Sequence, residues 1–331
     1  MLPLLLLLAC GAPSEPAPAA RTLTLAAYTT PREAYGQAIL PAFAAHWQAQ
    51  TGESVRFEAS YQGSGAQARA VREGLEADVV ALSLDPDVAL LQDAGLIHHD
   101  WRAVGPGGMV SRSIAVIAVR PGNPKQIRDW ADLARPDVAV LTPNVRTSGG
   151  AMWNVLGVWG AALRGRAGVP EGDPVGAAAL LAGVLGRVEV MDKGARESVV
   201  TFEKGVGDAA ITYENEVLTA AAQGAAVEMV VPSSTILIEN PIAVVDVYAA
   251  RHGNLDLAEA FVRFCQGEEA QRAFVAHGLR PVSEAAAPAD RPAPADLFTV
   301  AELGGWGEVK ARLFAAGGVY DQALAAAGGA R

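Results

Sequence analysis

The chain has 331 residues, 51% hydrophobic and 19% charged, with a formal net charge of −10 and a pI of about 5.0. That length exceeds a typical single core and predicts two lobes, with ample apolar material for both. The acidic balance argues against a nucleic-acid partner, whose phosphates call for Lys and Arg to displace counterions. It also means that any anionic ligand must be held by local hydrogen-bond donors rather than by overall charge.

The N-terminus reads Met1-Leu-Pro-Leu-Leu-Leu-Leu-Leu-Ala9, followed by Cys10, Gly11 and a Pro/Ala stretch. So short an apolar run falls well below the ~20 residues needed to span a bilayer, but it resembles the apolar core of an export signal. Leu7-Leu8-Ala9-Cys10 resembles the bacterial lipobox, in which the Cys becomes the lipidated first residue of the mature protein; an unremarkable apolar N-terminus is the plain alternative. No Lys or Arg precedes the Leu run, although a charged region normally opens such a signal. The expectation is a signal peptide over 1–9, lipid on Cys10, and a tether over 10–20 too poor in apolar bulk to form a core. The other cysteine, in Phe261-Val-Arg-Phe-Cys265, lies on the apolar face of a predicted helix and reads as a buried, inert thiol.

Arg21-Thr-Leu-Thr-Leu25 alternates polar and apolar residues and predicts the first strand. Tyr35, Ile39, Phe43 and Trp47 form a helical stripe that Pro41 interrupts, so a kink or a late helix start is expected. Val55-Arg-Phe-Glu-Ala59 predicts a strand, Val71 and Leu75 a helix, and Ala77-Asp-Val-Val-Ala-Leu82 a buried strand. Ser113–Val119 and Val138–Leu141 are further strands. The alternation predicts an α/β fold with mainly parallel pairing. Two segments read as crossings between lobes: the strand ending at Val119 with Arg120-Pro-Gly-Asn-Pro124, and Ser233–Val245. Residues 283–296, rich in Ala, Pro and Asp, predict a surface loop.

The informative chemistry lies where strands hand over to helices. Ser60-Tyr-Gln-Gly-Ser-Gly-Ala66 follows the strand 55–59, and Asn144-Val-Arg-Thr-Ser-Gly-Gly150 follows the strand 138–141. Asp192-Lys-Gly-Ala-Arg-Glu-Ser198 follows the strand Val188–Met191. Each puts Ser or Ala beside Gly at a helix start. The first N–H groups of a helix lack intrahelical acceptors and carry partial positive charge, so an anion is stabilised there. Gly lets it approach the backbone. Ligands of open α/β sheets gather beyond the carboxyl ends of strands, so the three junctions can converge, although a simple N-cap and turn explains any one of them alone. Tyr213 ends the short strand in Ala210-Ile-Thr-Tyr213; it either caps a core or points its hydroxyl into a cleft.

Taken together, these segments resemble the bacterial periplasmic sulfate-binding proteins, components of sulfate and thiosulfate ABC importers. The likeness runs from about Leu25 to Asp321 and includes Tyr28-Thr-Thr-Pro-Arg-Glu33, Gly63-Ser-Gly-Ala-Gln-Ala68 and Val119-Arg-Pro-Gly-Asn-Pro-Lys125. It continues through Thr147-Ser-Gly-Gly150, Gly194-Ala-Arg196, Tyr213-Glu-Asn-Glu216 and Gly304-Gly-Trp306. The resemblance implies a periplasmic-binding-protein type II fold. Two α/β lobes, 21–112 with 238–331 and 113–237, would be joined by a two-segment hinge, with a dehydrated anion in the interlobe cleft. It implies that the backbone N–H groups of Ser64, Gly149, Gly150 and Ala195 bind the anion, with the hydroxyl of Ser148. Thr29 and Tyr213 would complete the set, at positions where the family commonly has Asp and Trp. It further implies an exported, periplasmic or cell-surface monomer that serves the permease and ATPase subunits of an ABC importer. No cofactor, metal or nucleic acid is implied, and no membrane contact beyond the lipid anchor.

Tyr213 bears on which anion. An indole only donates, whereas a Tyr hydroxyl also accepts. Sulfate needs donors alone, while a protonated phosphate wants an acceptor. Molybdate, tungstate and thiosulfate thus stay open beside sulfate, and the lack of a carboxylate inside the junction motifs argues against phosphate. Arg146 and Arg196 are expected to support loops or make outer ion pairs, leaving no group of the shell to titrate between about pH 5 and 8. The rival classes are an enzyme and a purely structural surface lipoprotein. The chain has no P-loop, Rossmann fingerprint, nucleophile elbow or H-E-x-x-H, and His98-His-Asp100 reads as a surface turn rather than a metal site.

Overall fold

The computed structural model describes residues 20–283, 291 and 293–328. The expected signal peptide, Cys10, all of the tether before residue 20, and the centre of the expected loop 283–296 lie outside the described residues. Strands and helices alternate from the start: β1 (Arg21–Tyr28), α1 (Leu40–Thr51), β2 (Val55–Gln62), α2 (Ser64–Arg72), β3 (Val79–Ala81), α3 (Asp85–Asp93) and β4 (Met109–Val119). There follow β5 (Val140–Pro143), α4 (Gly149–Leu163), α5 (Pro174–Leu185), β6 (Val188–Asp192), α6 (Ala195–Glu203), β7 (Ala209–Tyr213), α7 (Glu214–Ala222), β8 (Glu228–Val230) and β9 (Ser234–Val244). The chain closes with α8 (Asp246–Arg251), α9 (Leu255–Gln266), α10 (Glu268–Ala276), β10 (Asp296–Phe298), α11 (Gly305–Val309) and α12 (Val319–Gly328). The stripe from Tyr35 to Trp47 is helical, but Ala34–Ile39 is π-helical and α1 starts late, with Pro41 in its first turn, where a missing N–H costs no bond.

The strands follow the order β2-β1-β3-β9-β4-β7-β5-β6, with β10 beside β9 and β8 beside β4. Pairing is parallel in both wings, β2-β1-β3 and β7-β5-β6. The centre is antiparallel, because β4 and β9 run through it in opposite directions. Residues 109–114 of β4 pair with 237–241 of β9. From there β4 continues through 115–119 to pair with β7, while β9 continues through 242–244 to pair with β3. These two strands are the segments the sequence marks as crossings.

Side chains alternate across each wing. On β1, Leu23, Leu25 and Ala27 face α1, α9 and α10, whereas Ala26 joins Val80 and Leu82 under α2 and α3. On β4, Ala115, Ile117 and Val119 face α4 and α5, whereas Ile114, Val116 and Ala118 face α6 and α7. Helices thus cover both faces of each wing, which is why the strands read as nearly continuous apolar runs. Cys265 is buried in the core of the first wing as a free thiol, and burial pushes its pKa up.

The C-terminal segment departs from the expected division. β10 pairs with the first residues of β9, and Phe298, Val309, Leu313 and Tyr320 enter the core of α4 and α5. Asp296 receives a two-pronged ion pair from Arg164, which follows α4, at 2.8 and 2.7 Å. Residues 296–328 therefore pack with the wing formed by 113–237, not with the first wing, where the sequence reading places all of 238–331. Phe298 fits because α4 has Gly160 beneath it, where a methyl group would come within 2.5 Å of the ring.

Candidate functional site

The carboxyl ends of β1, β2, β3, β5, β6 and β7 lead into one buried region. Gly63, which caps α2, lies so close to the turns before α4 and α6 that a methyl group on it would stand 2.5 Å from the Thr147 carbonyl oxygen and 3.0 Å from that of Lys193. Thr147 Oγ1 donates to the Lys193 carbonyl at 2.8 Å, tying the second and third junctions together. A methyl group on Gly150 would meet Tyr213 Cε2 at 2.8 Å, Ala195 Cβ at 3.2 Å and Ser148 Oγ at 3.3 Å. One on Gly194 would lie 3.6 Å from Thr29 Oγ1. Five of the expected residues are thus linked in two groups: Ser148, Gly150, Ala195 and Tyr213 share a wall, and Thr29 stands over Gly194 beside it. Gly149 and Ser64 join them through Ser83. A methyl group on Gly149 would meet Ser83 Oγ at 2.6 Å, and the Ser83 N–H donates to Ser64 Oγ at 2.9 Å.

The N–H groups of Ser64, Gly149, Gly150 and Ala195 all fall in the first turn of α2, α4 or α6. Among the described residues they donate to no protein acceptor, as the start of a helix dictates. The Ser148 hydroxyl likewise has no protein partner there, although Ser148 is buried. Tyr213 is buried too, and burial holds its pKa far above the usual value, so its hydroxyl stays protonated.

The structure adds residues that the sequence reading passed over. Ser83, between β3 and α3, places its Oγ 2.7 Å from Tyr213 Oη. Its carbonyl accepts from Trp153 Nε1 at 3.0 Å and from Asn240 Nδ2 at 3.2 Å. The signal was present in Leu82-Ser-Leu-Asp-Pro86, a strand end followed by a proline-started helix, but it lacks the Gly that marks the other junctions. Asp87 accepts from Ser64 Oγ at 2.5 Å, and burial pushes its pKa up to about 6 against the opposing pull of that bond. A titrating group therefore stands directly behind Ser64, where the sequence suggested none.

The two arginines beside the motifs, Arg196 and Arg146, are engaged elsewhere. Arg196 donates to Glu216 Oε2 at 2.5 Å and to both Glu33 oxygens at 2.8 and 3.0 Å. Burial raises the Glu216 pKa, with Arg196 pulling the other way. Arg146 donates to Asp321 at 3.1 Å. His98 and His99 both bond Asp246 at the start of α8 through their backbone N–H groups, and His99 Nδ1 lies 2.8 Å from the same carboxylate, as an anchored turn.

Residues 23–280 match the family of bacterial extracellular solute-binding proteins. A sulfate-binding protein of Synechococcus elongatus is 40% identical over 312 residues, covering 93% of this chain and 87% of that protein. A thiosulfate-binding protein of Pseudomonas aeruginosa is 35% identical over 312 residues, covering 92% of each. The solved structure of the sulfate-binding protein SubI from Mycobacterium tuberculosis matches with a TM-score of 0.81 and 38% identity, covering 89% of this chain and 99% of that one. The fold is the type II periplasmic-binding-protein fold that the sequence implied. The chain belongs to the bacterial extracellular solute-binding proteins and is a homologue of the sulfate-binding proteins among them.

Proposed function

We propose that the protein captures sulfate outside the cytoplasm and delivers it to the permease and ATPase subunits of an ABC importer. The observation that carries this reading is the convergence of the Ser64, Gly149, Gly150 and Ala195 N–H groups with the Ser148 and Tyr213 hydroxyls, while Arg146 and Arg196 are paired with carboxylates. Helix-end N–H groups stabilise an anion without a paired cation, and a shell of donors suits an ion that carries no proton. Thr29 adds to the shell from the end of β1. The names of the relatives in Synechococcus and Mycobacterium favour sulfate; that of the Pseudomonas relative supports thiosulfate as a second reading. The role is that of a carrier, not an enzyme.

The two lobes of this reading are 21–112 with 238–283, and 113–237 with 296–328, divided by core membership and hinged at β4 and β9. The protein acts as a monomer, held to the membrane by lipid on Cys10; mass spectrometry of exported protein tests the anchor, and an unmodified Cys10 excludes it. The ligand is tested by thermal unfolding with sulfate, thiosulfate, molybdate, tungstate and phosphate. A ligand at 100 times its Kd adds about 2.7 kcal/mol. Sulfate should raise the midpoint most and phosphate least; no shift with any of the five, or the largest with phosphate, overturns the reading.

A further inference from the structure

We propose that Ser83, backed by Trp153, fixes the direction of the Tyr213 hydroxyl, so that Tyr213 presents a donor to its ligand and disfavours a ligand proton at that position. This rests on the reading above that Tyr213 faces the anion. Ser83 Oγ and Tyr213 Oη lie 2.7 Å apart, and either hydroxyl can be the donor. Trp153 Nε1 donates to the Ser83 carbonyl at 3.0 Å and reaches Ser83 Oγ at 3.2 Å. An indole N–H cannot accept.

Two arrangements follow. In the forward one, Trp153 donates to Ser83 Oγ, Ser83 donates to Tyr213 Oη, and the Tyr213 hydrogen is left for the ligand. Each hydrogen then has an acceptor, and each bond in the chain polarises the next. In the reverse one, Tyr213 donates to Ser83 and can accept a ligand proton. The Ser83 hydrogen then has nowhere to go, because among the described residues the hydrogen-bond partners of Ser83 Oγ are Tyr213 Oη and the donor-only indole. Space for a bridging water is lacking on the side of Gly149, where even a methyl group would come within 2.6 Å of Ser83 Oγ. The three side chains are sealed in, with Ser83 0% exposed and Trp153 and Tyr213 1% each. A buried hydroxyl left unsatisfied therefore penalises the reverse state, by roughly 5- to 150-fold in population. Tyr in this position thus acts as a donor although its chemistry allows both roles, and the ambiguity that the sequence raises is resolved by a neighbour whose motif shows no Gly.

The test is titration calorimetry of the full chain at pH 7 with sulfate and with inorganic phosphate, which carries at least one proton there. Ser83→Ala removes the relay but leaves the backbone N–H and carbonyl that Ser83 uses for its other bonds. Tyr213 is then free to accept, so the ratio of sulfate to phosphate affinity should narrow about fivefold or more, with an unfolding midpoint near that of the wild type. Tyr213→Phe checks the same claim independently: sulfate should weaken more than phosphate does, and adding Ser83→Ala in that background should leave the ratio unchanged. If the wild type binds sulfate but Ser83→Ala keeps its ratio, or Tyr213→Phe weakens both anions equally, the relay is wrong and the sulfate reading stands. If the wild type binds neither anion, the reading of the site fails and the relay with it.

Discussion

Gly63→Ala tests whether the two wings must come into contact for the ligand to be held. Gly63 has φ −57° and ψ 138°, a conformation open to any residue. On backbone grounds alone Ala there would stabilise the protein by about 0.4–1 kcal/mol. The contact acts the other way. The new methyl carbon would lie 2.5 Å from the Thr147 carbonyl oxygen and 3.0 Å from that of Lys193, and both obstacles are backbone. Carbon and oxygen approach comfortably to about 3.3 Å, so the start of α2 must withdraw by up to about 0.8 Å, loosening the bond from Ala66 N–H to the Thr147 carbonyl at 3.4 Å. Ser64 N–H then cannot share one anion with Gly149, Gly150 and Ala195. A hydrogen bond to a charged group contributes about 1.5–3 kcal/mol, so sulfate affinity should fall roughly 10- to 150-fold. Calorimetric titration reads the affinity, and unfolding without ligand should show stability at or above that of the wild type. Wild-type affinity in the variant would refute the claim that opposed junctions grip the ligand.

Tyr213→Phe removes one donor from a buried site and should weaken sulfate roughly 10- to 150-fold by calorimetry; an unchanged affinity would place the hydroxyl outside the shell. Burial lifts the folded pKa of Asp87 to about 6, above the ~3.9 of an unfolded Asp. The folded state therefore holds this proton more tightly, and the stability so gained is complete below about pH 4 and lost as pH rises through about 6. Asp87→Asn should remove that slope, worth about 3 kcal/mol between the two limits, from urea-unfolding curves; the same slope in the variant would show that another group titrates. Arg196→Ala leaves Glu216 buried without its cation and should cost about 3–5 kcal/mol at pH 7, and less at pH 5, where Glu216 with its raised pKa more readily takes a proton. A loss under 1 kcal/mol in chemical denaturation would show the pair to be dispensable.

The parts of the molecule that the sequence made legible are those written in backbone chemistry. Gly63-Ser64, Ser148-Gly-Gly150 and Gly194-Ala195 each announce a helix start, and the structure gathers them. Tyr35 to Trp47 announced a helix with a late start, which α1 shows at Leu40. What stayed hidden depends on tertiary contact. Ser83 follows a strand of three residues and lacks the Gly of the other junctions, so the proline-started helix after it is the one local signal and a weak one. Trp153 reads as one more apolar residue of α4, and only the fold turns its indole toward Ser83. Asp87 lies in the first turn of α3, where an acid is ordinary, and its raised pKa comes from burial by distant elements. The antiparallel centre and the return of residues 296–328 to the second wing were hidden for the same reason: both follow from which strands β9 pairs with along its length.

In the proposed complex one tetrahedral oxyanion sits between the first turns of α2, α4 and α6, held by neutral donors. Crystals grown with selenate in place of sulfate test it most directly, because anomalous scattering locates selenium without ambiguity. A single strong peak is expected, its oxygens about 2.7–3.2 Å from the N–H groups of Ser64, Gly149, Gly150 and Ala195, with Ser148 and Tyr213 hydroxyls completing the shell. An empty position there in crystals that hold selenate elsewhere, or an anion gripped by Arg196 or Arg146 side chains, would contradict it.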